Sequence, residues 1–164
     1  MAEPESFLSR RLINPILGLL KQGITPEKIA LSIALGVVCG IFPIMGATTV
    51  LCVGAALVLR LNQVAIQVVN YLMSPFQVGG IVLFVRLGER IVGAEPMPFS
   101  PAELVRSFRA DPSAFLARFG LTGLHGILGW AVVAPFVAVA LYWAVVPLLR
   151  RAAARMGQEA EALP

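Results

Sequence analysis

Three long runs without a charged residue dominate the pattern of hydrophobic and polar positions along the chain: residues 29–59, 61–85 and 121–149. At about 1.5 Å per residue, the first run would make a helix of roughly 45 Å, too long for one upright crossing of a hydrocarbon core about 30 Å thick. The motif Gly40-x-x-Pro43-x-x-Gly46 also interrupts this run at its centre. Because each half is too short to cross alone, the pattern predicts a helical hairpin that turns at this break and returns to the side from which it came.

The second run repeats the plan of the first. A stretch of helical length meets Ser74-Pro75, and Gly79-Gly80 follow shortly afterwards. Two interrupted apolar segments in corresponding positions are typical of binding sites in transporter folds. We therefore predict two re-entrant hairpins broken by Pro and Gly, joined by the short turn Arg60-Leu61-Asn62.

The charges that flank these runs bear on the topology. If both segments turn back, the flanking cations share one face, in agreement with the positive-inside bias: Lys28, Arg60, Arg86 and Arg90. A single crossing by residues 121–149 conflicts with this arrangement, because it places the segment before it on the other side. Either the second broken segment crosses, or Pro135 lets the third run turn back, and the sequence leaves both open.

The other segments complete an all-α prediction. Residues 1–24 have the pattern of an amphipathic helix at the membrane interface, and residues 25–164 form a single membrane domain. Within that domain, residues 93–120 make a polar surface segment with two short helices, one capped by a Ser100–Glu103 capping box and one from Asp111 to Gly120. Residues 121–149 form a transmembrane helix that is followed by a basic tail, residues 150–164.

The composition agrees with an integral membrane protein. Of the 164 residues, 58% are hydrophobic and 13% are charged, whereas a soluble domain carries about 25% charge. The net charge of +4 comes from cations beside the apolar runs, where they meet anionic lipid on the cytoplasmic side. We therefore expect membrane lipids as partners, with a homo-oligomer or a membrane protein partner also possible, and no nucleic acid.

A polar stripe is the first candidate for function. Five polar residues follow one another at helical spacing within an uncharged segment: Gln63, Gln67, Asn70, Ser74 and Gln77. Polar side chains at membrane depth face the protein interior or a wet cavity, because lipid offers them no partner. The polar stripe therefore either hydrogen-bonds helices together or lines a polar cavity.

The two predicted breaks are the second candidate. A half-helix that begins at membrane depth presents free N–H groups and the positive end of its dipole to an anion. Together with the polar stripe, the breaks give the candidate ligand-binding residues Gly40, Pro43, Gly46, Thr48, Thr49, Gln63, Gln67, Asn70, Ser74, Pro75 and Gln77. Alternatively, Pro and Gly only make the turns, and the facing segment satisfies the freed groups.

Catalytic and metal-binding motifs are missing from the sequence. The single histidine, His125, has no acid near it in sequence, and Cys39 and Cys52 match no metal-ligand spacing. The apolar runs hold no paired carboxylates, nucleophile elbow or phosphate-binding loop. We expect no enzyme activity, no cofactor and no metal.

The segment from Thr25 to about residue 90 resembles the bacterial family called domain of unknown function 2062. The resemblance rests on a start motif, the first break and the turn after it: Pro26, Ile29, Ala30, Leu31, Ala34, Leu35 and Gly36, then Gly40, Pro43 and Gly46, then Arg60, Leu61 and Asn62. The family's second break is centred on Asn-Pro, and this chain has Ser74-Pro75 instead. The resemblance implies a small protein of the bacterial inner membrane without a known reaction, and relatives fused to glycosyltransferases hint at lipid-linked sugars.

Two functions follow from these observations. The first is the transport or handling of an anionic or lipid-linked ligand at a site between the two broken segments. The second is a non-catalytic scaffold, or partner-binding subunit, that buries its polar stripe against another membrane protein.

Overall fold

The structure, a computed structural model, describes the backbone of residues 24–161 and the side chains of residues 24–155. Five helices follow one another in this part of the chain: α1 (Pro26–Gly40), α2 (Ala47–Leu59), α3 (Gln63–Val92), α4 (Pro101–Ala110) and α5 (Pro112–Glu161). The same residues contain no strand, so the all-α prediction is confirmed for them. The amphipathic helix predicted for residues 1–24 falls almost entirely outside the described residues.

Helices α1 and α2 form a hairpin, and the break between them lies where the first run was predicted to be interrupted. Thr25 caps α1 by accepting a hydrogen bond from the Lys28 N–H at 3.4 Å. Helix α1 stops at Gly40, and Gly46 takes a left-handed conformation, with φ of 86°, just before α2 begins. A side chain is strained at such a φ, which is why glycine suits this turn. Lys28 and Arg60 line one small cavity, so the start of α1 and the end of α2 lie at the same end of the molecule.

Helix α3 is continuous where the sequence predicted a break in the second run. Residues 63–92 form one continuous helix that contains Pro75, so the predicted second break, and with it the second hairpin, is absent. Proline removes one helical hydrogen bond, but both Ser74 and Pro75 lie on the exposed side of α3. The opposite side packs against α1, where Val69 lies close to Gly36 and Met73 close to Gly40.

The continuity of α3 also changes which end of the molecule the flanking cations occupy. Arg60 and Asn62 precede the first residue of α3, whereas Arg86 and Arg90 lie in its last two turns. At about 1.5 Å per residue the two pairs are separated by roughly 40 Å. The prediction that all four flanking cations share one face is therefore wrong.

Helix α5 is longer than the two elements predicted in its place. It runs from Pro112 through Gly120, Pro135 and Pro147 without a break, so Gly120 does not end a surface helix and Pro135 does not reverse the chain. Asp111 begins it, because its Oδ1 accepts hydrogen bonds from the N–H groups of Ser113 and Ala114, both at 3.0 Å. These bonds stabilise the carboxylate and lower the pKa of Asp111.

Helix α4 begins at Pro101 as expected, but its predicted capping box is not formed. The Ser100 side chain makes no capping hydrogen bond. The intrahelical bond from the Leu104 N–H to the Ser100 carbonyl, at 3.0 Å, is present instead. Proline at the first helical position is therefore sufficient to start this helix.

Close helix contacts at small residues hold the fold together. A Cβ atom added at Gly88 would overlap the backbone carbonyl of His125, and one at Gly129 would overlap the carbonyl of Phe84. Helices α3 and α5 thus meet backbone to backbone, as helices in membranes do at glycines. A Cβ at Gly36 would lie 2.8 Å from the Cβ of Val69, so α1 approaches α3 in the same way.

Two of the helices, α3 and the part of α5 up to Arg155, are long and apolar enough to cross a membrane. In their most apolar windows only 28% and 17% of the residues, respectively, are buried inside the protein. A core helix of a soluble protein is mostly buried. These two helices instead expose apolar side chains such as Phe76 on α3 and Phe136 on α5.

Candidate functional site at the helix break

The side chain of Gln77 hydrogen-bonds to the backbone of the break between α1 and α2. Its Nε2 donates a hydrogen bond of 2.8 Å to the Phe42 carbonyl and lies 3.5 Å from the Ile44 carbonyl. Gln77 is only 7% exposed, although it comes from α3, a different element. Because carbonyls that leave a helix ladder need a new donor when water is absent, this carboxamide stabilises the break.

Trp130 hydrogen-bonds to the last turn of α1, on the other side of the same break. The Phe42 N–H donates to the Cys39 carbonyl, which leaves the Val38 carbonyl without its usual helical donor. The indole Nε1 of Trp130 donates to that carbonyl at 2.9 Å, and its ring meets the Phe42 ring edge-on at 4.9 Å. Trp130 is not among the site residues predicted from the sequence, and an indole donor in an uncharged run was the signal that could have suggested this contact.

The first half of the polar stripe joins α3 to α2. The Asn70 Nδ2 donates to the Gln67 Oε1 at 3.1 Å and lies 3.5 Å from the Thr49 Oγ1. The Gln67 Nε2 donates to the Thr49 carbonyl at 3.3 Å. These bonds connect the first turn of α2 to the first third of α3, and Thr48 is buried beside them.

The structure brings most of the predicted ligand-binding residues together and places three of them elsewhere. It brings Gly40, Pro43 and Gly46 of the break together with Gln67, Asn70 and Gln77 of the stripe, and with Thr48 and Thr49. Gln63, Ser74 and Pro75 lie outside this cluster on exposed positions. Among the described side chains, no buried nitrogen or oxygen atom lacks a hydrogen-bond partner. The inward residues of the polar stripe thus act on protein groups.

An apolar groove of about 500 Å³ lies directly beyond the break, and we call it the tip groove. Its roof is the tip of the hairpin, its sides are α3 and α5, and Phe99 lies at its edge. The residues that line it are Pro43, Ile44, Met45, Ile81, Val85, Phe99, Phe119, Gly120, Thr122, Gly123, Leu124 and Ile127. The hydroxyl of Thr122 donates to the Arg118 carbonyl at 2.9 Å, so the groove offers an almost wholly apolar surface.

The tip groove exists because the hairpin is short. Gln77, which contacts the break, is the fifteenth of the 30 residues of α3, so the hairpin reaches only half the length of that helix. Beyond the tip, α3 and α5 continue, and no other helix of residues 24–161 lies between them. The groove could not be predicted from the sequence. It lies between helices that are far apart in the chain, and no single sequence motif indicates such a space.

A buried carboxylate, that of Glu89, connects α3 to the loop at the far end of the tip groove. Glu89 is 2% exposed and accepts hydrogen bonds from the Arg86 Nη1 at 2.9 Å and from the Met97 N–H at 2.8 Å. The Arg86 guanidinium lies 5.0 Å from the centre of the Phe99 ring, which lines the groove. Glu89 is not among the site residues predicted from the sequence. Its bond to the Met97 N–H ties α3 to the loop that carries Phe99.

Metal binding finds no support in the described residues, where no three of His, Cys, Asp or Glu come together. Cys39 and Cys52 are free and buried, and they pack with Ala56 and Ile66 between the hairpin and α3. That placement agrees with their predicted role as small apolar packing residues.

The fold and the site define an all-helical protein with two helices that can cross a membrane and a broken hairpin packed between them. Residues 9–157 match the protein family described as "Uncharacterized protein conserved in bacteria (DUF2062)". This match covers most of the 164 residues, so the chain belongs to that family, as the resemblance indicated. No curated protein and no solved structure shows significant similarity to the chain.

Proposed function

We propose that the protein is an integral protein of the bacterial inner membrane in which α3 and α5 span the bilayer and the α1–α2 hairpin re-enters it. The low burial of the two long helices supports this proposal, because their apolar side chains need lipid around them. The hairpin is apolar, returns to the end where it began and reaches only to the middle of α3. A segment with that geometry enters one leaflet and turns back at mid-depth.

The charges at the two ends of the molecule support a cytoplasmic location for the end where the hairpin begins. Among residues 24–155, that end carries one acid, Glu27, and five cations: Lys28, Arg60, Arg150, Arg151 and Arg155. The opposite end, residues 86–118, carries five cations and four acids. By the positive-inside bias, the end with the excess of cations faces the cytoplasm.

The function that the geometry supports best is the binding and handling of an amphiphilic, lipid-linked ligand, with its chain in the tip groove. The observation that carries this proposal is the groove itself: about 500 Å³ of apolar space, within the range of roughly 300–1,000 Å³ for ligand sites, open in one leaflet beneath the hairpin tip. Arg86, stacked on Phe99 and paired with Glu89 through its Nη1, supplies its remaining guanidinium N–H donors at the far end, where a phosphate head group would lie. The proposal includes no catalytic step and no cofactor.

A substitution that fills the tip groove tests this function. A Cβ at Gly123, which lines the groove, meets nothing within 4 Å, so Gly123→Leu places its side chain in the groove without disturbing the helix contacts. The matched control is Gly79→Leu, because Gly79 is also helical, also has free space and does not line the groove. The probe is a photoactivatable single-chain alkyl phosphate, added to the full chain in detergent, and the adducts are mapped by peptide mass spectrometry.

We expect adducts on residues 81–85 and 119–127 in the unmodified protein and in Gly79→Leu, and their loss in Gly123→Leu. Equal labelling of the two variants on these segments would show that the groove does not hold the chain.

A second candidate function, a scaffold or partner-binding subunit, is favoured by a different observation. The inward polar stripe is satisfied within the described residues, whereas Ser74 lies exposed near the middle of α3, on the same face as Tyr71 and Val78, which are 64% and 58% exposed. A polar hydroxyl among apolar side chains at that depth would suit a helix of another protein or of a second copy.

Crosslinking distinguishes this candidate. In a background without Cys39 and Cys52, Ser74→Cys is oxidised in membranes beside the control Val58→Cys, whose position on α2 is 81% exposed. A disulfide-linked dimer specific to Ser74→Cys would support a helix interface on α3. Dimers from both variants, or from neither, would count against a self-associating scaffold.

A further inference from the structure

A second apolar cleft lies at the other end of the molecule, where α1 begins and α2 ends. It encloses about 410 Å³ between the hairpin and α5 and is separate from the tip groove. Leucine, alanine and valine form most of its wall, and one ammonium group lies at its edge. The residues that line it are Glu27, Lys28, Leu31, Leu59, Leu61, Ala138, Val139 and Tyr142.

Two cationic side chains, Lys28 and Arg60, lie at the open end of this cleft. A smaller adjoining cavity of about 270 Å³ shares Lys28 and Leu61 with the cleft and is also lined by Arg60. Glu27, the nearby acid, is engaged by Arg150, whose Nε lies 2.8 Å from its Oε1. Among residues 24–155, neither Lys28 nor Arg60 pairs with a carboxylate. The apolar cleft thus leads to positive charge that this part of the chain does not neutralise.

The backbone of Arg60 is an independent observation. With φ of 52° and ψ of 48°, it is the one non-glycine residue with a left-handed conformation in the described part of the chain. Glycine is the usual residue at this position after a helix, because a Cβ is strained there. The chain therefore keeps an arginine side chain where glycine would fit the backbone better, and a strained residue of this kind indicates a role for the side chain.

We propose that the cleft binds one anionic phospholipid of the leaflet from which the hairpin enters, with its phosphate between Lys28 and Arg60 and an acyl chain along the apolar wall. Basic residues beside the helices on the cytoplasmic side attract anionic lipid, and a phosphate here also lies near the positive end of the α1 dipole. The proposal rests on the membrane topology given under Proposed function and does not depend on a ligand in the tip groove. A lipid in this cleft would bridge the ends of α1 and α2 to α5, and so hold the hairpin in place.

The test measures the binding of phosphatidylglycerol and of phosphatidylcholine with the same acyl chains to the full protein in detergent, by native mass spectrometry. Phosphatidylcholine supplies the apolar part alone, and inorganic phosphate supplies the anion alone. We expect saturable binding of one phosphatidylglycerol, weaker binding of phosphatidylcholine and no competition by inorganic phosphate. Equal affinity for the two lipids would overturn the proposal.

Single substitutions locate the site. Lys28→Gln and Arg60→Gln should each weaken phosphatidylglycerol binding about fivefold, as expected for one cation near a lipid surface. The control is Arg106→Gln, which removes an exposed cation from α4 at the other end of the molecule. If the control loses as much affinity as the two site variants, the attraction comes from the whole molecule and the proposed site is wrong.

A further pair of variants tests the apolar wall. Ala138 lines the cleft, whereas Ala140 lies exposed on another side of α5, so Ala138→Phe should reduce phosphatidylglycerol binding and Ala140→Phe should not. Gly123→Leu should leave it unchanged, since that substitution affects only the tip groove. Failure of the alkyl phosphate experiment and failure of this one are thereby distinguishable.

Discussion

At the scale of single residues, two side chains make the break in the hairpin possible. Gln77 donates to the Phe42 carbonyl and Trp130 donates to the Val38 carbonyl, and each comes from a different long helix. Because Phe42 and Gln77 are buried, water does not satisfy the freed carbonyls, so these donors are part of the fold. Their partners are backbone atoms, and a search for side-chain motifs does not find such partners.

The first prediction concerns Gln77. Gln77→Met keeps the length of the side chain but leaves the buried Phe42 carbonyl without its donor, which should lower the free energy of unfolding by about 1 to 3 kcal/mol. Gln63→Met is the matched control, because Gln63 belongs to the same polar stripe but is exposed. Thermal unfolding in detergent measures both variants. If they lose the same stability, the Gln77 contact does not stabilise the break.

At the scale of elements, the contact between α3 and α5 is the closest in the structure. Gly88 and Gly129 let the two helices meet at the backbone, and Gly126 adds a third close approach, with Val85 and Pro43 near it. Because little separates the helices here, their spacing and register are fixed at the far end of the tip groove. The groove depends on this contact for its width.

The second prediction follows from that contact. Gly88→Ala adds a Cβ that overlaps the His125 carbonyl, so the helices must separate, at a cost of about 1 to 3 kcal/mol in the free energy of unfolding. Gly79→Ala is the control, since its Cβ meets nothing within 4 Å and alanine favours a helix by about 1 kcal/mol over glycine. Denaturation in detergent should therefore show opposite signs for the two variants. A stabilising effect of Gly88→Ala would contradict the close approach.

The third prediction concerns the ion pair that joins the start of α1 to α5. The hydrogen bond from Arg150 is the main cause that lowers the pKa of Glu27 below its ordinary value of 4.5. A lowered pKa in the folded protein means that the pair stabilises the fold above pH 4.5, and that this contribution is lost as the pH falls through the lowered pKa. The pair is exposed, so salt also weakens it.

We therefore expect the unmodified protein to exceed Glu27→Gln in thermal stability at neutral pH, with the difference disappearing in acid. Arg150→Met should remove the same contribution, and combining the two substitutions should cost little more than either alone. A stability difference that persists unchanged in acid would show that Glu27 acts through some contact other than this ion pair.

The elements also show how far the sequence predicts the structure. The first break was predictable because Gly40, Pro43 and Gly46 lie together, and Gly46 occupies a conformation that only glycine takes easily. The second was not, because the effect of Pro75 depends on the side of α3 on which it lies, and tertiary packing decides that. The spacing of the polar stripe predicts that its residues share one helix. It does not predict that Gln77 contacts the break, because that contact depends on how α3 packs against the hairpin.

At the scale of the whole molecule, the hairpin divides the structure into two unlike halves. On the side where it enters, α1 and α2 pack with α3 and α5 around cores such as Ile29, Ala30, Val146 and Leu149. On the other side, among the described residues, α3 and α5 alone continue, with the loop and α4 beside them. In the proposed topology, this asymmetry places the tip groove in one leaflet and the cleft lined by Lys28 in the other, so the two proposed lipid sites belong to opposite leaflets.

The last prediction tests this topology directly. In a background without Cys39 and Cys52, single cysteines replace Thr25 before α1, Arg60 after α2 and Ser107 on α4, and a membrane-impermeant thiol reagent is applied to vesicles of known orientation. Thr25 and Arg60 line one cavity, so both cysteines should react from the cytoplasmic side, whereas the cysteine at Ser107 should react from the other. If the cysteine at position 60 reacts from the side opposite to the cysteine at position 25, the first run crosses the membrane and the hairpin is not re-entrant. If the cysteines at positions 60 and 107 both react from the cytoplasmic side, α3 does not cross the membrane and the proposed topology is wrong.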